Sequence, residues 1–333
     1  MSQTRALITG INGQDGSYLA ELLLALGYNV AGTIHPAHVE EPAKLANIAA
    51  ITDRVELIPA RLEISSDVES AVNLTRPDEC YHLAAQSTVS YDPLQESATL
   101  SLNILGTHTL FSAIRALVPQ CRVFFAASSE VFGNAAESPQ NETTPLSPRS
   151  FYGLTKTAGL QMARLFRDLH DVYVSVGILY NHESPRRAPQ FVTRKITMAV
   201  ASIAAGSSEK LTLGNLDSRR DWGHAKDFVR AMRLALRPTV PDDFVIATGV
   251  THSVREFCDV AFGCVGLRYQ DHVVSDPAFF RPAETVATVG DYSRARNVLG
   301  WTPAATFEDL VREMVESDCL ALGINAGRSY QQA

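Results

Sequence analysis

The chain has 333 residues, 46% hydrophobic and 20% charged, a balance that builds a sizeable core and argues against disorder. Its formal net charge of −7 argues against a general nucleic-acid binder, while leaving room for a local basic pocket around a phosphorylated ligand. Five scattered cysteines (Cys80, Cys121, Cys258, Cys264, Cys319) include no C-x-x-C pair, so neither a zinc site nor a disulfide framework is expected.

The opening MSQTRALITG runs directly into a strand with no signal-peptide pattern, and no apolar run is long enough to span a bilayer. A soluble cytoplasmic protein is expected. Short apolar runs at 5–9, 29–34, 55–60, 79–84, 122–127 and 172–178 read as strands. Between them, 16–26, 66–75, 97–117 and 151–169 carry apolar residues at helical spacing. Strands alternating with helices predict an α/β fold, a doubly wound parallel sheet covered on both faces. After about residue 180 the rhythm breaks. FVIATG (244–249) reads as one more strand and 306–317 as an amphipathic helix, with no linker between lobes.

The first strand ends at Thr9 and leads into GINGQDG, where Gly10, Gly13 and Gly16 are spaced G-x-x-G-x-x-G. A helix opening near Gly16 leaves free backbone N–H groups that suit a pyrophosphate, which glycines allow to approach closely. A dinucleotide is expected there. An acidic residue at the end of the second strand would mark NAD and an arginine NADP, but Ile34, His35, Pro36 and Ala37 stand there instead. His35 and His38 are at best weak donors to a phosphate and read equally as ordinary loop histidines.

The fifth strand delivers Ser128, Ser129 and Glu130 at its carboxyl end, the edge that faces the ligand crevice. Tyr152 and Lys156 follow, four apart on one face of a helix. A lysine beside a tyrosine favours the phenolate, and a nearby serine relays a proton or binds a substrate hydroxyl. The order glycine turn, Ser, Tyr, Lys predicts hydride transfer from a carbinol carbon to nicotinamide. Glu130 adds a carboxylate that simple alcohol oxidation does not need. It suits removal of an acidic C–H beside a new ketone, or protonation of a leaving hydroxyl.

The motifs TGINGQDGSYLAELL, YHLAAQS, SSEVFG, PRSFYGLTK, GILYNHESPRR, FVTRKIT, LGNLDSRRDWGHAKDFV and DPAFFRPAE together resemble the GDP-mannose 4,6-dehydratases, extended short-chain dehydrogenase/reductases, over nearly the whole chain. The resemblance implies a Rossmann-like sheet with a smaller α/β substrate lobe. Residues 1–180, rejoined by 220–256, would bind the dinucleotide; 181–219 and 257–333 would bind the nucleotide sugar. It implies that Tyr152 deprotonates the sugar 4-hydroxyl and that Glu130 removes the C5 hydrogen as the C6 hydroxyl leaves. A tightly held, recycled NADP would contact Gly10, Gly13, Gln14, Asp15, Gly16, Ala84, Tyr152 and Lys156. The GDP-sugar would meet Ser87, Ser129, Asn181, Lys195, Arg220, Arg281 and Glu284; no metal is implied, and a homodimer or homotetramer is. Arg186 and Arg187 are implied at the cofactor or at a subunit interface.

Two departures bear on the cofactor. Pro36 and Ala37 replace an arginine pair usual in the family, and Arg61 stands where an aspartate would meet adenine. NAD therefore stays open beside NADP. The loop AQSTVSYDPLQES is slightly shorter than in relatives, which leaves another hexose or a heptose open. A reductase or epimerase of the same fold, or a catalytically silent nucleotide sensor, are the competing readings. Glu130 and the NHESPRR stretch argue against the first, whose reactions need no elimination, and intact Ser128, Glu130, Tyr152 and Lys156 argue against the second.

Overall fold

The computed structural model describes residues 3–87, 93–279 and 288–324. The chain runs β1 (Arg5–Thr9), α1 (Gln14–Ala25), β2 (Asn29–Ile34), α2 (Pro42–Leu45), β3 (Glu56–Pro59), α3 (Ser65–Thr75), β4 (Glu79–His82), α4 (Pro93–Leu100), α5 (Gly106–Leu117), β5 (Arg122–Ser128), α6 (Phe151–His170) and β6 (Val174–Leu179). It continues through β7 (Asn181–Glu183), α7 (Val192–Ala204), β8 (Leu211–Leu213), β9 (Arg219–His224), α8 (Ala225–Leu234), β10 (Asp243–Ile246), β11 (Thr251–Ser253), α9 (Val254–Gly263), β12 (Val273–Ser275) and α10 (Phe307–Ala321).

Seven strands form one sheet in the order β10-β6-β5-β4-β1-β2-β3, every neighbouring pair parallel. Helices cover both faces of such a sheet, so its strands are near-continuous apolar runs: β6 is buried at all six positions. The order reverses direction between β1 and β4, which places a crevice at their carboxyl ends. α6 lies against β5 because Gly159 has no side chain; a Cβ there would sit 2.3 Å from Phe125 Cζ.

The helix expected over 97–117 is interrupted. α4 ends at Leu100, and a π-helical turn over Ser101–Leu105 precedes α5. The widened turn carries Asn103 into the interior, where it donates to Gln86 O and Thr155 Oγ1 and accepts from Gln86 N. Apolar spacing barely changes across one wide turn, so periodicity could not reveal it.

Beyond β6 two smaller sheets appear. In one, β9 lies between parallel β7 and antiparallel β11; in the other, β8 pairs with β12. α7, α9 and α10 enclose a second core in which Trp222, Phe257 and Phe307 pack ring to ring. α8, β10 and residues 295–301 return to the first core, where the Trp301 indole donates to Asp227 O. No described helix is long and apolar enough to cross a membrane.

Candidate active site

The glycine turn assigns each glycine a different task. Gly10 has φ +71°, and a Cβ on it would press on Ala84 at 3.0–3.1 Å. Gly16 packs the turn on itself, since its Cβ would lie 2.3 Å from Gly10 O. Gly13 is different: a Cβ there would meet only Gly10 O, at 3.3 Å. It is the N-cap of α1, which starts at Gln14, earlier than expected, and no side chain caps it. The first-turn N–H groups thus keep their donors for a ligand. Ala84 donates its N–H to Thr9 Oγ1, which ties the end of β4 to the turn.

Ser128 ends β5, and Ser129 and Glu130 follow in a 3₁₀ turn. Ser150 caps α6 by accepting from Gly153 N at 3.0 Å, which sets Tyr152 in the first helical turn. Gly153 lets this end of the helix touch the 3₁₀ turn; a Cβ would stand 2.7 Å from Glu130 O. The Ser128 hydroxyl and the Glu130 charge both lie close enough to act on the Tyr152 phenol. Lys156 is buried, donates to Ala126 O at 2.7 Å, and lies 5.9 Å from the centre of the Tyr152 ring.

The expectation that Lys156 favours a phenolate is not met in this geometry. Burial pushes Tyr152 up to about 12; Ser128 opposes the shift and the Glu130 charge adds to it. Burial also pulls the Lys156 amine down to about 8, with Asp15 partly opposing. At neutral pH the resting pair is a protonated phenol beside an ammonium whose hold on its proton burial has weakened.

Residues 181–187 clasp the glycine turn, which the sequence alone did not reveal. His182 Nε2 lies 2.8 Å from Asp15 Oδ2 and Nδ1 2.7 Å from Tyr180 O, while the ring stacks on Phe228 at 4.5 Å. Gln14, expected at the cofactor, is spent on the clasp: its amide donates to His182 O and accepts from Ser184 Oγ. Arg186 donates to Ser17 and Glu21 and covers the Tyr18 ring at 4.0 Å. Arg187 stacks on Phe191 at 3.6 Å, and its charge reaches Asp15, His182 and Tyr152. Its buried Nε lies 3.1 Å from Glu183 Oε2 without the geometry of a hydrogen bond. An uncapped helix N-terminus, an open face at Gly13 and a guanidinium with donor capacity in reserve fit a pyrophosphate-bearing cofactor.

Other expected residues are more dispersed. Ser129 is buried and Ser87 exposed. Asn181 lies on β7 opposite Trp222 of β9, two residues from Arg220 on that strand. Lys195 is exposed on α7. Arg281 and Glu284 lie outside the described residues, as does part of the loop after Ser87. At the end of β2, His35 accepts from Ala37 N and caps the turn that Pro36 and Ala37 begin, with the His38 ring 5.3 Å away. Arg61 pairs with Asp67 at 3.5 Å.

The family model for GDP-mannose 4,6 dehydratase matches residues 7–314. The chain belongs to that family. It is 43% identical to GDP-mannose 4,6 dehydratase 1 of Arabidopsis thaliana over 322 residues, covering 94% of this chain and 89% of that one. It is 40% identical to the GDP-mannose 4,6-dehydratase of Vibrio cholerae serotype O1 over 358 residues, covering 96% and 94%. Among solved structures, the fold matches the UDP-glucose 4-epimerase of Thermotoga maritima with TM-score 0.85 at 24% identity, over 95% of this chain and 99% of that one. It also matches the dTDP-glucose 4,6-dehydratase of Bacillus anthracis, with TM-score 0.80 at 20% identity, over 94% and 96%.

Proposed function

We propose that this chain is a GDP-mannose 4,6-dehydratase, converting GDP-mannose to the 4-keto-6-deoxy sugar with no net redox change. Glu130 carries the reading beyond family membership: it puts a carboxylate beside Tyr152 at the carboxyl end of β5, where elimination needs a base. Gly10, Gly13 and Arg187 would hold a nicotinamide dinucleotide along the glycine turn, which when bound would supply the hydride acceptor for C4 and the hydride donor for C6. Tyr152 takes the proton of the 4-hydroxyl. Because the resting phenol is protonated, its own proton must leave first, to the buried Lys156 amine in its neutral form or to solvent, before Tyr152 can accept that of the sugar. The 4-ketone acidifies C5–H; Glu130 takes that proton and gives it to the departing C6 hydroxyl, which leaves as water, and C5 regains a proton as hydride returns to C6. Ser129 is not acidic, which leaves Glu130 as the carboxylate of the Ser128–Glu130 set. Asn181, Lys195 and Arg220 are the proposed contacts to the sugar nucleotide, on the smaller lobe.

NADP is the proposed form of the cofactor. No acidic residue stands at the end of β2 to take the ribose diol of NAD, which supports this choice although the arginine pair is missing. Nucleotide released on denaturation is expected to be NADP; NAD alone would refute it. A homo-oligomer in the cytoplasm is proposed as well, supported by exposed Leu154, Leu165 and Leu169 along α6 and Leu105 beside it. Sedimentation of a monomer at micromolar concentration would refute the assembly.

The deciding experiment incubates the protein with GDP-mannose in heavy water and follows the product by NMR. Deuterium at C5 of a 4-keto-6-deoxy sugar is expected. GDP-mannose returned unchanged, with NADP and NAD each supplied, would overturn the reading, and a 4-epimer or a 4-reduced sugar would indicate the competing chemistries.

A further inference from the structure

Asp221 is fully buried, and its carboxylate accepts four hydrogen bonds from two separate segments. Oδ1 takes the Thr248 N–H at 2.8 Å and the Thr248 hydroxyl at 2.6 Å. Oδ2 takes Gly249 N–H at 2.9 Å and Gly290 N–H at 3.2 Å. The first segment is the turn leaving β10 at the carboxyl edge of the large sheet, where Gly249 has φ +78°. The second is the chain at 288–291, which Gln140 holds from the other side by accepting from Asp291 N and donating to Val289 O. Gly290 fits only without a side chain, since a Cβ would lie 2.4 Å from Ala247 Cβ and 2.8 Å from the Tyr180 ring.

Asp221 belongs to β9, so one carboxylate joins the small sheet to the edge of the large one. Side chains alternate along a strand, which turns Arg220 to the opposite face from Asp221. β9 also pairs with β7, the strand that carries Asn181. A shift of β9 would move Arg220 and Asn181 relative to Glu130, in the turn that leaves β5, and Tyr152, in the first turn of α6.

We infer that Asp221 is a positioning residue for sugar-nucleotide binding, which fixes β9 and Arg220 against the carboxyl edge of the catalytic sheet. The inference rests on the proposed role of Arg220 as a substrate contact. An acceptor-only group suits the site, because two N–H groups from different segments converge on Oδ2. Asp221→Asn keeps the shape but turns an NH2 toward donors.

The test uses the purified protein with its bound cofactor and measures KM, kcat and nucleotide content. Asp221→Asn is expected to raise KM for GDP-mannose about 10-fold or more while kcat and bound nucleotide stay within about twofold. A role confined to overall folding would lower kcat and nucleotide content together, and that outcome, or an unchanged KM, overturns the inference. If Asp221→Asn does not fold, Thr248→Val decides, since it removes the hydroxyl, with its bonds to Asp221 and Val250, and leaves the three N–H donors to Asp221 in place. A KM rise of about threefold supports positioning, and no rise overturns it. Arg220→Ala separates the two levels. No change in KM for Arg220→Ala refutes its substrate role, whereas a rise there with none in Asp221→Asn and Thr248→Val refutes the positioning role alone.

Discussion

His182 stands between two acceptors, with Nε2 2.8 Å from Asp15 Oδ2 and Nδ1 2.7 Å from Tyr180 O. Both ring nitrogens must donate to satisfy this geometry, so the ring is an imidazolium. Burial alone would lower its pKa, but the Asp15 charge and hydrogen bond raise it above 6.5. Burial would likewise raise Asp15, and His182, Gln14 and Arg187 together hold it below 3.8. The signs set a window. The His182 contribution is complete below pH 6.5 and fades as pH rises through its raised folded value; that of Asp15 is complete above 3.8 and fades as pH falls through its depressed value. His182→Gln is therefore expected to destabilise the cofactor-free protein by roughly 3 kcal/mol near neutrality. Denaturation across pH checks this: the gap to the unmodified protein should close at alkaline pH, and a constant gap would refute the imidazolium.

Lys156 illustrates a site residue held at the expense of stability. Its pKa falls from 10.5 to about 8 on burial, so the unfolded chain binds the proton more tightly than the folded one. Stability then rises with pH between those values, and the cost at pH 7 is about 3 kcal/mol. Lys156→Met is expected to raise the melting temperature at pH 7 while abolishing turnover. The gain should shrink as pH rises from about 8 and vanish by about 10.5. A lower melting temperature would show that the bond to Ala126 O outweighs the desolvation cost.

The parts of the site legible in the sequence are the local ones. Gly10, Gly13 and Gly16, then Ser128 to Glu130, then Tyr152 and Lys156 are each set by one turn or one helix, and the alternation of strands and helices orders them along a single sheet edge. What escaped notice depends on partners far apart in the chain. Asp15 and His182 are 167 residues apart, and nothing in NHESPRR states that its histidine must face an aspartate of the glycine turn. The same holds for the Tyr152 phenol. Spacing places Lys156 beside it, but only packing shows that burial dominates over the neighbouring ammonium.

Glu130 and Tyr152 act on different protons, so removing one should leave the other's step intact. Glu130→Gln is expected to permit oxidation at C4 and block loss of water, lowering turnover by about 10²- to 10⁴-fold. A rise in absorbance near 340 nm without product, on mixing with GDP-mannose, is the signature. Unchanged turnover would remove Glu130 from the mechanism.

The three glycines of the first turn make the sharpest separation between fold and function. A methyl group at position 16 would lie 2.3 Å from Gly10 O and 2.7 Å from Ile11 Cα, backbone atoms that cannot yield. Gly16→Ala is therefore expected to destabilise the protein by about 2 kcal/mol or more, in the range of overpacked sites. At position 13 the methyl would meet only Gly10 O, at 3.3 Å, and φ is −72°, a value alanine adopts readily. Gly13→Ala should melt within about 0.5 kcal/mol of the unmodified protein, as surface-like substitutions do. Yet the methyl would occupy the open face at the N-terminus of α1, where a pyrophosphate must approach the backbone. Gly13→Ala is accordingly expected to purify with little bound nucleotide and to bind added NADPH at least about 10-fold more weakly, as followed by fluorescence. Equal nucleotide content in Gly13→Ala and the unmodified chain would move the cofactor away from this turn. A loss of stability in Gly13→Ala matching that of Gly16→Ala would instead make position 13 part of the packing.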